Sequence, residues 1–442
     1  MFTSRIKNIT WFLNSLFLKL MKGISLFFLV GFLANAASSI AQGTTLNPNI
    51  KSAKLYRYGD QTSFPAITLN SADALQLEFD DLENRVKNYY YTFQLCNADW
   101  TPSILHPFEY IKGFQNVRIS TYRNSSISIT RYIHYQASIP DRNSTPSRSG
   151  NYLLKVFLDS DTSKLAFTKR FVVVNSQATV AAQVQQPFNA QFFKTFQKLF
   201  IGVQTDPRIR LFTPSDLKIV VLQNNNWQTS LFIDRPTISR PNYYEYIDES
   251  ITAMPAGKEF RWLDLRSLRL LSDRVQKMET TQDTAWIFVK PDPSRNGLPY
   301  LYYRDLNGSY TIEAMESINP FWQGDYAYVN FSYFPPNNRT IEGRDIYIFG
   351  ELTDYAFDAS SKMIFNKERG AYEKTLFLKQ GYYNYNYVTK PLDGKGYPDM
   401  SQTEGDFWGT ENSYTVLVYY RPFGGRADEL IGFASLNSTF QR

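Results

Sequence analysis

The chain is poor in the residues on which much enzyme chemistry depends. Its 442 residues include one cysteine, Cys96, and two histidines, His106 and His134. One cysteine cannot close an internal disulfide, so folding rests on burial of a core. Three nitrogen and sulfur ligands are also one short of a four-ligand structural zinc site. No G-x-S-x-G, P-loop or H-E-x-x-H pattern occurs. Long apolar runs are scarce as well. The longest lies near the start, from Ile24 to about Leu33. It falls far short of the roughly 20 residues needed to span a bilayer.

That run sits in MKGISLFFLVGFLANAASSIAQG, beginning at Met21. A short basic stretch precedes it, and small residues stand at Ser39 and Ala41. The arrangement is that of a secretory signal peptide over residues 1–41, cut between Ala41 and Gln42. Residues 1–20 either extend its basic region or precede a true start at Met21. No cysteine lies near the cut, which argues against a lipid anchor. Cleavage removes four basic residues and no acid, so the formal charge falls from +6 to +2. No dense basic cluster remains, and no nucleic-acid partner is expected. An exported chain of this size without disulfides suits a bacterial periplasm.

What the chain has in excess is aromatic rings: 34 Phe, 31 Tyr and 7 Trp. Such residues favour strands, where large rings pack across a pleated surface. Period-two alternation recurs at 75–82, 89–96, 131–140, 150–159 and 166–174, with polar turns between. Further strands are expected at 198–205, 216–223, 243–250, 259–268, 284–291 and 308–315. A third set falls at 325–334, 345–352, 371–379, 381–388, 412–422 and 429–435. Residues 269–279 suggest a helical turn or a loop. The fold class expected is all-β: consecutive immunoglobulin-like or early-set sandwiches, mostly antiparallel. The expected units are 42–177, 178–324 and 325–442.

One stretch resembles part of an active site. FQLCNADWTPS, residues 93–103, joins Cys96 to Asp99, and His106 follows closely. Alternation instead places Cys96 at the end of a strand, where an unpaired cysteine behaves as a small buried hydrophobe. Asp99 and Ser103 suit a turn, with Trp100 capping a core edge. Glu78, Asp80 and Asp81 are acidic, but Asp80 and Asp81 are adjacent on a strand and face opposite ways. A glycosidase pair must share a cleft. Asp159 and Asp161, in DSDTS, suit a hairpin tip better than a calcium cage. No catalytic residue, metal or cofactor is expected. Exposed rings leave glycan or partner binding open.

LEFDDL, YYYTFQLCNADWTPSIL, EYIKGF, SGNYLLKVFLD and TKRFVVV, in that order, resemble the plug protein family of the type IX secretion system of Bacteroidota. The resemblance continues through AGKEFRWLDLRSLR, IYIFGELTDY, LKQGYYNYNYV and TENSYTVLVYYRPFGGRADELIGF. Cys96, Asp99, Trp100, Gly150 and Tyr152 belong to this signature as fold determinants. Leu95 departs from it, standing where a histidine is expected. The resemblance implies a non-enzymatic periplasmic protein, peripheral to the outer membrane. Its expected role is to close the inner mouth of a large outer-membrane β-barrel translocon. The third unit also resembles glycogen-binding early-set sandwiches. That makes Tyr355, where such modules often carry Trp, and Trp408 candidate glycan or partner contacts. A carboxylate-dependent glycan hydrolase is the remaining alternative.

Overall fold

A computed structural model describes residues 47–439 apart from Lys395. Ala41 and Gln42, which flank the expected cleavage, lie outside the described residues. The chain is built of paired sheets, as the alternation implies, and the pairing is mostly antiparallel.

The first sandwich holds one sheet in the order Ile50–Arg57, Leu75–Asp81, Ile133–Ile139, Thr121–Asn124. Its second sheet runs Ala66–Thr68, Leu165–Val174, Gly150–Leu158, Tyr89–Cys96, Val117–Arg118. Leu77, Phe79, Tyr91, Phe93, Tyr152 and Phe171 meet between them in an aromatic core. Phe79 stacks on Tyr135 with ring centres 5.1 Å apart, and Tyr152 on Phe171 at 5.3 Å. Such offset contacts add to the burial of the rings themselves.

The next two sandwiches do not follow one another along the chain. One sheet of the second contains Ala178–Gln185, Phe196–Thr205, Tyr243–Tyr246 and Ile238–Arg240. Its facing sheet runs Asn226–Ile233, Leu217–Gln223, Ser413–Tyr420, Glu429–Asn437. The last two strands of the protein therefore complete the second unit. The third sandwich is inserted within it. There Arg261–Asp264 pairs with Gly381–Pro391, and Ala285–Val289 with Tyr326–Phe334. The expected units 178–324 and 325–442 thus need correction, because sheets cross that division in both directions. Alternation locates strands, whereas partners are set by long-range pairing that a periodic pattern does not encode. Of residues 269–279, 269–274 form a loop, but the rest needs correction: Val275–Thr280 is a strand, paired with Ala285–Val289.

The three sandwiches pack against one another. Val172 and Val174 of the first meet Val220, Leu417, Tyr419 and Leu430 of the second in an apolar joint. This explains why Leu165–Val174 ends in four consecutive buried residues, FVVV, rather than in alternation. Both its faces are covered.

Candidate functional site

Within FQLCNADWTPS, Phe93 and Leu95 belong to the core of the first sandwich, whereas Cys96, Ala98 and Trp100 lie at its joint with the second. Cys96 is 1% exposed and clusters with Trp100, Leu153 and Trp227. Burial pushes its thiol up to about 12, so it carries no thiolate at neutral pH. Asp99 accepts the amide and hydroxyl of Thr101 at 2.9 and 2.6 Å, fixing the turn. That turn holds Trp100 at a φ of 67°. Its indole is edge-on to Trp227 at 4.8 Å and lies under the Arg170 guanidinium at 4.4 Å. The amide of Ala98 donates to Asp428 of the second sandwich at 3.0 Å. Gly150 has a φ of 142°, and a Cβ there would meet Leu95 at 3.0 Å and the Asp428 carbonyl at 3.2 Å. Tyr152 is fully buried and donates to the Arg148 carbonyl at 2.9 Å. His106 is exposed on the loop before Pro107 and stacks on Phe108 at 5.5 Å. Nothing here forms a nucleophile and base.

The chemistry the alternation did not reveal lies on the opposite sheet. Glu78 and Asp80 share a strand face, and His134 stands across from Asp80 in register. His134 Nδ1 is 2.7 Å from Asp80, and its Nε2 is 2.6 Å from Glu78. Lys379 of the third sandwich reaches Asp80 as well, and Tyr326 donates to the same carboxylate at 2.6 Å. All five side chains are buried. Burial alone would lower the imidazole pKa, but hydrogen bonds to Asp80 and Glu78 outweigh it and raise it. Burial would raise that of Asp80, but Lys379 and His134 outweigh it and lower it. Asp81, on the other face, accepts Tyr89 at 2.8 Å and pairs with Lys87 at 2.8 Å. The two aspartates are therefore turned apart, as expected, and hold structure rather than a cleft. Lys54 of the first sandwich joins the third too, bonding Glu351 at 2.7 Å and the Tyr310 carbonyl at 2.6 Å.

The third sandwich contains a second buried network. Arg261 bonds Glu404 through Nη2 at 2.9 Å and Asp292 through Nη1 at 2.9 Å. Tyr385 and Tyr387 both donate to Asp292 at 2.8 Å. Burial would raise the Glu404 carboxyl, yet Arg261 and Arg295 hold it down to about 2. Every acid in this group is engaged by a cation or a phenol. Asp159 and Asp161 sit at the tip joining Gly150–Leu158 to Leu165–Val174, where Asp161 caps Ser163 and Asp159 pairs with Lys164. Among the described residues, no group of three His, Cys, Asp or Glu is arranged to hold a metal.

Tyr355 and Trp408 do not form a shared exposed platform. Tyr355 is half-buried, packs on Phe349 at 5.1 Å and donates to Asn224 of the second sandwich at 3.4 Å. Trp408 is half-buried beside Phe407.

Exposed apolar residues gather elsewhere. The tip between Thr121–Asn124 and Ile133–Ile139 is pinned to the third sandwich. There the amides of Ile129 and Thr130 donate to Asp325 at 2.6 and 3.0 Å. Between this tip and the third sandwich lies a groove of ≈ 660 Å³, lined by Ile127, Ile129, Leu271 and Met278. Ile127 is 71% exposed, with a φ of 59°. A β-branched residue in the left-handed region is strained by about 1–2 kcal/mol, and such strain clusters at functional surfaces. A second patch joins the exposed rings of Phe212 and Phe423, 5.0 Å apart.

These features define a class: an all-β protein of three welded sandwiches, with buried ionic joints and exposed apolar patches. Residues 50–175 match the family model for the type 9 secretion system plug protein, 1st domain. The match spans the first sandwich and the residues there that carry the resemblance. A hypothetical protein from Parabacteroides merdae, solved as a crystal structure, is 29% identical with a TM-score of 0.85. The match covers 89% of this chain and 98% of that one. The BSP domain of a biofilm associated protein covers 89% of this chain and 60% of its own at 10% identity. Its TM-score of 0.17 is too low for a shared fold. No curated protein matches the chain significantly. Among the described residues, no helix is long and apolar enough to cross a membrane.

Proposed function

We propose that the protein is a non-enzymatic plug subunit of type IX secretion, exported to the periplasm, where it closes the inner end of an outer-membrane β-barrel translocon. The observation that carries this is the plug-family match across the whole first sandwich. Its physical logic concerns leakage and stiffness. A pore wide enough for folded cargo needs a broad, rigid closure at one end. Three sandwiches joined by an apolar seam and buried ion pairs supply such a body. No bond is made or broken in this task; what matters is tighter binding to the unloaded pore than to the loaded one.

The groove beside Ile127 supplies a contact surface for such a partner. Affinity purification of the tagged protein from the native envelope is expected to recover a large barrel protein. Ile127→Asp is expected to reduce that recovery while the purified variant keeps its fold by circular dichroism. Repeated purification without a barrel protein would count decisively against the reading. Export is checked separately: the N-terminus of the mature protein is expected to be Gln42.

A further inference from the structure

At the junction of the second and third sandwiches lies a cavity of ≈ 250 Å³. It is smaller than the ~300–1,000 Å³ of typical small-molecule pockets, and so is scaled to one side chain. Its apolar floor comes from Phe260 and Phe349, backed by Tyr355 and Met400. Met254 closes the side belonging to the second sandwich, and Tyr397, 72% exposed, stands in the lining.

The polar groups in the wall are nearly all engaged within the protein. The Asn224 amide bonds Asn412 at 2.7 Å, and Gln223 bonds Pro255 and Tyr414 at 3.0 and 3.1 Å. Lys258 spends its ammonium on the carbonyls of Arg295 and Leu298, both at 2.9 Å. Asp399 accepts the Ser401 amide at 2.8 Å and has Arg344 at 3.7 Å. Asp406 differs. One of its oxygens accepts the Gly257 amide at 2.9 Å, and the other has no donor among the described residues. Gly257 is tied to the same segment a second time, since its carbonyl accepts the Phe407 amide at 2.9 Å. The carboxylate is thus held in place in an apolar, aromatic wall with acceptor capacity to spare.

From this geometry we infer that the cavity receives a single cation on an apolar stem, a lysine or arginine side chain of a partner protein. The stem replaces water against the Phe and Met floor. The head bonds the open oxygen of Asp406, and the rings of Tyr355 and Tyr397 add cation–π attraction. The site stands apart from the Ile127 groove and does not depend on the translocon reading.

The test titrates small probes into the full chain and follows binding by calorimetry or ligand-observed NMR. Nα-acetyl-lysine methylamide and the arginine counterpart are expected to bind saturably. The norleucine analogue, which keeps the stem and loses the charge, is expected to bind at least about tenfold more weakly. Asp406→Asn is expected to weaken the lysine probe by a similar factor. Free alkylamines form the other arm. Tighter binding of the capped amino acid marks a protein side chain as the source, and tighter binding of the free amine marks a small metabolite. Burial pushes the Asp406 carboxyl up to about 6, with Asp399 adding to the rise and Lys258 opposing it. The phenols of Tyr355 and Tyr397 complete the facing groups. Affinity is therefore expected to fall as pH drops through that value. Equal binding of the lysine and norleucine probes to the unmodified chain, or no binding of either, overturns the inference without reliance on a variant.

Discussion

Cys96 sets the residue scale. Its neighbours in sequence suggest a nucleophile, whereas its neighbours in space are Trp100, Leu153 and Trp227. Native protein is expected to resist a thiol reagent that labels the same protein rapidly in denaturant; rapid native labelling would refute a buried thiol. His134 makes the opposite case. Nothing near it in sequence marks it, because its partner Asp80 lies 54 positions away, and Lys379, which completes the group, lies 299 positions from Asp80. A faint signal existed in the acids Glu78 and Asp80, spaced two apart on one strand face. Breaking a buried ion pair by deleting one partner costs about 3–5 kcal/mol. Lys379→Met is therefore expected to lower the urea midpoint sharply. The pH dependence follows from the two directions. The raised imidazole adds stability that is complete below its ordinary value of 6.5 and is lost as pH rises through the folded-state value. The lowered Asp80 carboxyl adds stability present above 3.8 and lost as pH falls through its folded-state value. Unfolding midpoints are expected to decline on the alkaline side of 6.5, with the slope removed in His134→Gln. An unchanged slope in that variant would assign the decline to other groups.

At the scale of elements, many strands were legible, although Ile50–Arg57, Ala178–Gln185 and Asn226–Ile233 were not among the expected runs. Tyr89–Cys96 and Ala371–Lys379 coincide with the alternating runs that suggested them. Connectivity was not legible, and the C-terminal strands show why. Ser413–Tyr420 was expected as a strand of the third unit, yet it pairs with Leu217–Gln223, some two hundred positions earlier. A side-chain pattern specifies which face is buried, not which edge is paired. This placement has a testable consequence. Removing residues 412–442 strips Leu217–Gln223 of one neighbouring strand and takes Val416, Val418 and Ile431 from the core of the second sandwich. The truncated chain is expected to be insoluble or protease-sensitive first within 178–258, while the inserted third sandwich is cut later. If the cleavage instead began within 261–391, the last strands would belong to the third unit.

For the whole molecule, the question is whether the sandwiches are separable. The outer face of the first carries Leu153, Val172 and Val174, all covered in the intact chain. Exposing an aliphatic side chain of this kind forfeits about 1.5–3 kcal/mol, so three of them amount to roughly 5–9 kcal/mol. Whole domains are stable by only about 5–15 kcal/mol. The opposite face would lose Lys379 and Glu351, leaving Asp80 and Lys54 with their charges in the open. A chain ending at Asn175 is thus expected to be far less stable than the same residues in the intact protein, and to aggregate through its FVVV edge. The full chain is expected to melt in one cooperative transition, because each sandwich completes the surface of another. Calorimetry decides the matter. Separate transitions, one of them matching an independently stable first sandwich, would show that the joints are incidental. A single transition, shifted down by Lys379→Met, would show that they make the three sandwiches one body, as the proposed closure of a wide pore requires.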